Sequence, residues 1–561
     1  MIWKLLETNP RIQHRLSESL GISPFFSQVL INRGITQPED AQAFLFGDLS
    51  SCSDPFLMKD MDRAVTRIKQ AIEKNEKILI YGDYDVDGIT SSALLLDVFK
   101  TLGADCSTYI PHRVDDGYGL NLRAMKKAAD DGVNLIVTVD CGVNSTEEIK
   151  YAVSRSIDVI VTDHHEVDKN SRPPAYAVVD PHQEACGYPY KYLAGVGVAY
   201  MLASALTGGD RAILEKQLDL VALGTIADVV PLTGENRILA KAGFKQLRNV
   251  TRPGLKALME VARVDPEKVT CKSIGFSLAP RINAMGRIGS ADVALELLMS
   301  KDDNRAREIA TILDRENKNR QDIQKNILKQ AIKKVESEID LDKEEIIVLA
   351  DNEWHPGVVG IVASRLTEEY SRPAILIAID GNDGKGSGRS VVGFNLFEAI
   401  DKAGEHLLGF GGHKQACGIK IKKENIDVFR KSLNSFAKLS LVGDKTSDPE
   451  LEIDMVLPFA HINAKLIKEL DLLMPYGQGN SEPIFCAKEI TVNNTPRNIG
   501  SNGFKFLSQC GTLTCETITF RKKHIQKPRV RDIIDLAFTP SINSWNGIDT
   551  VQLNIRDLQI V

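Results

Sequence analysis

A chain of 561 residues, 43% hydrophobic and 26% charged, is too long for a single core and too ordinary in composition for a fibrous or disordered protein, so three or four soluble domains are expected. The net charge of −6 excludes a uniformly basic coat for nucleic acid, but a local basic groove stays compatible with it if bound metal neutralises part of the acidic excess. Nine cysteines, an odd number without a C-x-x-C pair, indicate neither a disulfide framework nor a structural zinc; no apolar run reaches roughly 18 residues and Met1–Pro10 lacks a signal-peptide pattern, so a cytoplasmic protein is expected.

Residues 1–70 read as a helical segment without recognisable chemistry. From Ile78 onward strands and helices alternate. The run Ile78-Leu-Ile80 has the length and apolar content of a buried parallel strand. Asp83, Asp85 and Asp87 follow it at alternate positions, before Gly88 and a helix read over Ile89–Leu102. Carboxylates gathered this closely raise one another's pKa, so the pattern asks for a compensating divalent cation. The competing reading is an Asp-rich turn that caps the helix. An EF-hand fits less well, because no Glu stands at its twelfth position.

After the turn-rich loop Pro111–Gly119 and a helix from Leu122, the strand Asn134–Val139 ends in Asp140-Cys-Gly142. A helix over Thr146–Ser154 leads to Ile157–Thr162, which ends in Asp163-His164-His165, and Ala175–Val179 ends in Asp180-Pro-His182. Four apolar strands thus finish on aspartate, as expected of one metal-lined edge of a parallel sheet. Neighbouring side chains at a strand end diverge, so His164 is expected as a ligand and His165 as a phosphate contact or acid, with a packing role for one of them as the alternative. Asp228, flanked by the apolar helix Leu218–Ala227 and by Val229-Val-Pro-Leu232, reads as buried and metal-bound.

Together, Asp83-Tyr-Asp85-Val-Asp87-Gly88, Asp140-Cys-Gly142, Asp163-His164-His165 and Gly224-Thr-Ile-Ala-Asp228 resemble the DHH phosphoesterase superfamily, and within it the bacterial exonucleases specific for single-stranded DNA, over nearly the whole chain. The likeness implies metal ligation by Asp85, Asp87, Asp140, His164 and Asp228, with Asp83 and His165 beside them in the catalytic centre. It also implies 5′-to-3′ release of mononucleotides in DNA repair and recombination. The partners it implies are single-stranded DNA, a single-strand-binding protein and a repair helicase, and the protein would be a monomer without membrane attachment.

Arg281-Ile-Asn283-Ala-Met-Gly286-Arg287 reads as a polar loop, and Asp303–Glu338 as a long charged helix whose simplest role is a solvated face with i,i+4 ion pairs. In the resembled family such a helix joins two catalytic domains across a cleft. A second α/β pattern follows, with strands Glu345–Leu349 and Ala374–Ala378 and a helix Val358–Leu366. Gly384-Lys-Gly-Ser387-Gly-Arg389-Ser390 and Gly409-Phe-Gly-Gly-His413 then read as glycine-rich loops. Small residues let a backbone approach a phosphate and Arg389 offers a planar fork, although a surface turn explains the glycines equally well. Together these stretches resemble the DHHA1 domain that accompanies DHH domains. The likeness implies that Arg113, Arg281, Ser387 and Arg389 hold a terminal 5′-phosphate, and that Asn283, Arg287 and His413 add nucleic-acid contacts.

Beyond the polar linker at 442–449, short strands with one helix suggest a barrel of the OB type. Its loop Arg521–Arg531 carries six cations, Arg521, Lys522 and Lys523 leading, and no acid. With Phe504, Phe506 and Trp545 as stacking candidates, it fits a surface that tracks single strands; a merely soluble basic loop is the alternative. The expected fold is α/β: a helical segment over 1–70, a DHH catalytic domain over 71–300, a connecting helix over 301–340, a DHHA1-like domain over 341–442 and an OB-like nucleic-acid-binding barrel over 443–561. Oxygen donors with one imidazole suit Mn²⁺ or Mg²⁺ better than zinc, and four or five carboxylates suffice for two ions. In-line attack by a metal-activated hydroxide on a phosphodiester is then expected, with His165 donating a hydrogen bond to a non-bridging oxygen. Two further readings stay open: a phosphodiesterase acting on short oligonucleotides or cyclic dinucleotides, and a non-catalytic replication scaffold.

Overall fold

The apolar runs at Ile78–Gly82 and Leu135–Val139 become strands buried along their whole length. The computed structural model describes residues 2–113, 116–117, 119–168, 173–440, 450–500, 503–520, 525–545 and 548–561. Two units divide the chain, one comprising Pro55–Asp228 and Gly243–Lys445, the other Met1–Asp54, Val229–Ala242 and Thr446–Val561. The N-terminal stretch expected as one helical segment is therefore shared between them. Strand β1 (Ile2–Leu5) and the helices Pro10–Leu20, Pro24–Asn32 and Pro38–Phe46 belong to the second unit, and the helix Met61–Glu73 to the first. Each of the three early helices opens on proline, whose missing N–H is no loss in a first turn.

In the larger unit β2 (Ile78–Gly82), β3 (Cys106–Tyr109), β4 (Leu135–Val139), β5 (Asp158–Thr162) and β6 (Ala177–Val179) form an all-parallel sheet in the order β3-β2-β4-β5-β6. The winding reverses at β2, and at such a switch point the loops leaving the carboxyl ends of adjacent strands part to form a crevice. Gly82 pairs with Val139, Val139 with Thr162, and Thr162 with Val179. Asp83, Asp140, Asp163 and Asp180, each the next residue along, therefore stand in one row.

The second sheet of this unit has the order β10-β11-β9-β8-β7 and comprises β7 (Ile347–Asp351), β8 (Ala374–Asp380), β9 (Asp383–Arg389), β10 (Leu407–His413) and β11 (Ala416–Lys422). Both glycine-rich stretches expected as loops are thus strands. Gly384, Gly386 and Gly388 alternate along one face of β9, where a Cβ would fall 2.7 Å from Ile377, 2.7 Å from Ile419 and 2.9 Å from Leu396. These glycines make room for the apolar layer.

Two further expectations change in the connecting region. The segment Arg281–Arg287 is the body of a helix, Ala279–Ile288, entered through a π-helical turn at Ile274–Leu278. Gly286 is small because the Tyr84 carbonyl oxygen would lie 2.6 Å from a Cβ there. The helix Asp303–Glu338, about 54 Å long at 1.5 Å per residue, is more than a solvated face. Its Ala306, Ile309, Ala310 and Leu313 are buried, and further along so are Ile327, Ala331 and Val335. The first half packs on Pro253–Ala262 and Ala279–Ile288, the second on Val359–Tyr370, which lies against β8 and β9.

In the smaller unit β12 (Glu450–Ile453) pairs in parallel with β1. It is followed by β13 (Met455–Val456), β14 (Phe485–Val492), β15 (Arg497–Ile499), β16 (Gly503–Cys510), β17 (Leu513–Thr519), β18 (Ile533–Trp545) and β19 (Ile548–Ile560). β14 bonds to β18, β18 to β19, β19 to β17, β17 to β16, and β16 back to β14, so five strands close on themselves with the connectivity of an OB barrel. Phe504 and Phe506, only 5% and 2% exposed, stack on each other inside this barrel with Phe485 and Phe538. They are core residues, which corrects their expected role as stacking surfaces for bases. The side chain of Trp545 and the residues Arg521, Lys522 and Lys523 lie outside the described residues. No helix among those described is long and apolar enough to cross a membrane, and all nine cysteines are free thiols.

Candidate active site

The acidic row is held by tight local packing. After β2 a Cβ at Gly88 would lie 2.5 Å from the Asp83 carbonyl oxygen, so glycine alone lets the chain turn there. Asp140 sits at φ +59°, a backbone region costly to a residue with a side chain and enriched at functional sites. The helix after β2 starts at Val86, three residues earlier than expected, and Asp85 caps it by accepting from the Asp87 and Gly88 amides at 2.9 and 3.2 Å. The turn-and-cap reading is thus correct for Asp85, whose carboxylate nevertheless also stands among Asp83 and Asp140.

Asp87 is anchored from the other side. Its two oxygens accept from the backbone amides of Gly195 and Val196 at 2.7 and 2.8 Å, at the start of the helix Gly195–Thr207, where the helix dipole favours negative charge. A Cβ at Gly195 would meet the Asp140 carboxylate at 2.8 Å. These two amides were not anticipated; the only sign of them in the sequence is the small-residue run Ala194-Gly195-Val-Gly197.

Among the described residues three overlapping groups of donor atoms, each within 4.8 Å, are suited to a cation: Asp83, Asp85 and Asp140; Asp87, His164 and Asp228; and Asp140, His164 and His165. The His164 Nε2 lies 3.0 Å from Asp140, 3.7 Å from Asp228 and 3.8 Å from Asp87. Asp83 Oδ1, Asp140 Oδ1 and His164 Nε2 are buried and make no hydrogen bond, the 3.0 Å approach of the last two lacking hydrogen-bond geometry. Burial, and then the neighbouring carboxylates, push Asp83, Asp140 and Asp228 well above the usual carboxylate range and Asp87 up to about 7. Burial, and then His165, pulls His164 down to about 3, so it is a neutral imidazole able to ligate. Orphaned donor atoms amid mutually repelling carboxylates fit a divalent cation and little else.

Asp163 and His165 do different work. Burial alone would raise Asp163, but His165 outweighs it and holds the carboxyl down to about 2. Its Oδ1 lies 2.7 Å from His165 Nδ1 and also takes the His164 and His165 amides. In return, although burial opposes it, Asp163 raises His165 to about 9. Asp180, expected as a fourth acidic tip, is fully buried, accepts the His182 amide at 2.7 Å and belongs to none of the three donor groups.

Beside the acidic row lies a cluster of arginines, joined to it through Tyr84. The Arg113 guanidinium lies 4.8 Å over the Tyr84 ring. Burial, then the charges of Arg113, Arg320 and Arg389, lowers Arg287 to about 9; burial and then Arg113 also lower Arg389. Arg389 donates to Ser387 Oγ at 3.1 Å, and Arg287 to the Gly357 carbonyl at 3.2 Å. Arg320, from the long helix, is oriented by Asn317 and Gln324 and buries an Nε without a partner. Among the described residues no carboxylate forms an ion pair with any of these four arginines. Arg281 stands apart, tied to Asp314 by Nε at 3.0 Å and Nη2 at 2.8 Å. Asn283 accepts the Val86 amide at 3.2 Å. His413, at the end of β10, is lowered by burial and then by Arg389. Arg320 was missed in the sequence because it is one cation among many on a charged helix.

Fold and site together define a metal-dependent phosphoesterase of the DHH class. Residues 77–225 match the DHH family N-terminal domain, 343–439 the DHHA1 domain and 453–557 the RecJ OB domain. The single-stranded-DNA-specific exonuclease RecJ of Bacillus subtilis is 40% identical over 100% of this chain and 71% of its own length. The crystal structure of RecJ from Thermus thermophilus in complex with Mn²⁺ superposes with a TM-score of 0.84 at 30% identity, over 100% of this chain and 80% of that one; the Mg²⁺ complex gives 0.77 at 29%, over 100% and 78%. The chain belongs to the RecJ family.

Proposed function

We propose that this protein is a Mn²⁺- or Mg²⁺-dependent exonuclease that releases mononucleotides from the 5′ end of single-stranded DNA, in DNA repair and recombination. One observation carries the reading: buried donor atoms of Asp83, Asp140 and His164 that make no hydrogen bond stand beside an arginine cluster that, among the described residues, forms no ion pair with a carboxylate. Asp85, Asp87, Asp140, His164 and Asp228 would hold the metal, with Asp83 completing the set, and the donor groups suffice for two ions. A divalent ion there supplies positive charge for the attacking and leaving oxygens of an in-line displacement.

The chain's own residues supply the rest. Arg113, Arg287, Arg320 and Arg389, with Ser387, bind the terminal 5′-phosphate and so place the first phosphodiester at the acidic row. Arg281 orients the helix through Asp314 rather than touching phosphate. His165, kept protonated by Asp163, donates a hydrogen bond to a non-bridging oxygen as charge develops there. Asn283 positions the acidic loop and His413 closes the phosphate pocket from the DHHA1-like side. The basic stretch at Arg521, Lys522 and Lys523 would track the backbone beyond the site.

In this reading catalysis lies in the DHH part, end recognition is shared with the DHHA1-like part, and strand tracking falls to the barrel. An enzyme confined to single strands needs a helicase and works on strands coated by a single-strand-binding protein, in the cytoplasm and as a monomer. In Mn²⁺, His164→Ala and Asp140→Asn should each abolish hydrolysis of a single strand while leaving the fold intact by circular dichroism. Residual activity near wild type in either variant would refute the assignment.

A further inference from the structure

The helix carrying Asn283 and Arg287 continues beyond both. In the unbroken helical run Cys271–Ile288, Phe276, Pro280, Asn283 and Arg287 fall at i, i+4, i+7 and i+11, which is one stripe of the helix surface. Arg287 reaches the arginine cluster and Asn283 meets the Val86 amide under the acidic row. At about 1.5 Å per residue Arg287 and Asn283 are about 6 Å apart along the axis, and Phe276 lies roughly 10 Å further on. Followed from a bound 5′ end, the stripe passes the terminal phosphate, then the metal centre, then Phe276.

Phe276 is 83% exposed, more than any other aromatic residue among those described. It stands on the π-helical turn, a rare element found mostly at functional sites, whose Ile274 and Leu278 are fully buried. Gly275 beside it has nothing within 4 Å of where a Cβ would stand, so the helix surface next to Phe276 is also uncovered. A lone ring is too small for a stable protein interface, which needs on the order of 1,000 Å². It is the right size to lie against one base.

We propose that Phe276 is a stacking platform for an unpaired base of the strand that remains after cleavage, within about three nucleotides of the scissile bond at the ~3.4 Å rise of a stacked strand. A base in a duplex has no free face to offer, so the platform favours single strands, and it retains the shortened product for the next cut. This inference rests on the exonuclease reading above.

The test compares wild type, Phe276→Ala and Phe276→Trp on a 5′-phosphorylated dinucleotide and on a 20-mer in Mn²⁺. For Phe276→Ala, kcat/KM on the 20-mer relative to the dinucleotide should fall about tenfold, through KM, and Phe276→Trp should restore it. Abasic sites placed singly at positions 2 to 6 of the 20-mer should reproduce the loss in wild type at one position and add nothing to it in Phe276→Ala. An unchanged ratio in Phe276→Ala, or an equal loss on both substrates, overturns the platform while leaving the exonuclease standing. A wild type inactive on both substrates overturns both.

Discussion

At the scale of single residues, charge placement decides chemistry. His165 is useful to a phosphate only while protonated, and Asp163 keeps it so up to about pH 9. Asp163→Asn removes that partner, so the imidazole should return toward its ordinary range and the alkaline limb of the kcat–pH profile should move to lower pH, with kcat down about 10²-fold at pH 8. An unmoved limb would show that His165 is not the donor. The arginines separate in the same way. Arg320→Ala should raise KM for a 5′-phosphorylated strand at least about tenfold, and less for a 5′-hydroxyl strand, because a charge-assisted hydrogen bond to phosphate is lost. Arg281→Ala should change the two alike, since its guanidinium is spent on Asp314, which keeps Lys318 at 2.8 Å as a second partner.

At the scale of elements, strands that end on aspartate declared themselves because an apolar run followed by a charge is a one-dimensional signal. Asp83, Asp140, Asp163 and Asp180 are therefore all legible as strand tips. Which tips converge is not, because it depends on register and on which side chain finds a local partner; Asp180 turns to the His182 amide. Glycine hides periodicity, having no side chain to mark a face, and so β9 reads as a loop although Gly384, Gly386 and Gly388 recur at every second position. Gly386→Val would drive a side chain into Ile419 and should cost about 1–3 kcal/mol, read as a lower midpoint in urea with unchanged m. The same blindness affected Phe504 and Phe506, where alternation was visible but the sequence does not say which face of a barrel strand points inward.

At the scale of the whole molecule, the metal centre and the stability of the fold are linked. Asp87, near 3.8 in the unfolded chain, is raised to about 7 in the fold, and its neighbours are raised as well. Between about pH 4 and 7 the folded chain therefore holds protons that the unfolded chain has released, so without metal the protein should lose stability as pH rises through this window. A divalent cation takes the place of those protons, and the gain in melting temperature on adding Mn²⁺ should be larger at pH 8 than at pH 5. A gain independent of pH would separate the cation from these carboxylates. The most direct measurement of the central claim is digestion of a 5′-phosphorylated single strand labelled at one end or the other, with Mn²⁺ and with chelator. The label at the 5′ end should leave first, as a mononucleotide, only when metal is present, and more slowly when the terminal phosphate is removed. Early loss of the 3′ label, internal fragments, or equal digestion in chelator would contradict a metal-lined strand edge fed from a phosphate-anchored 5′ end.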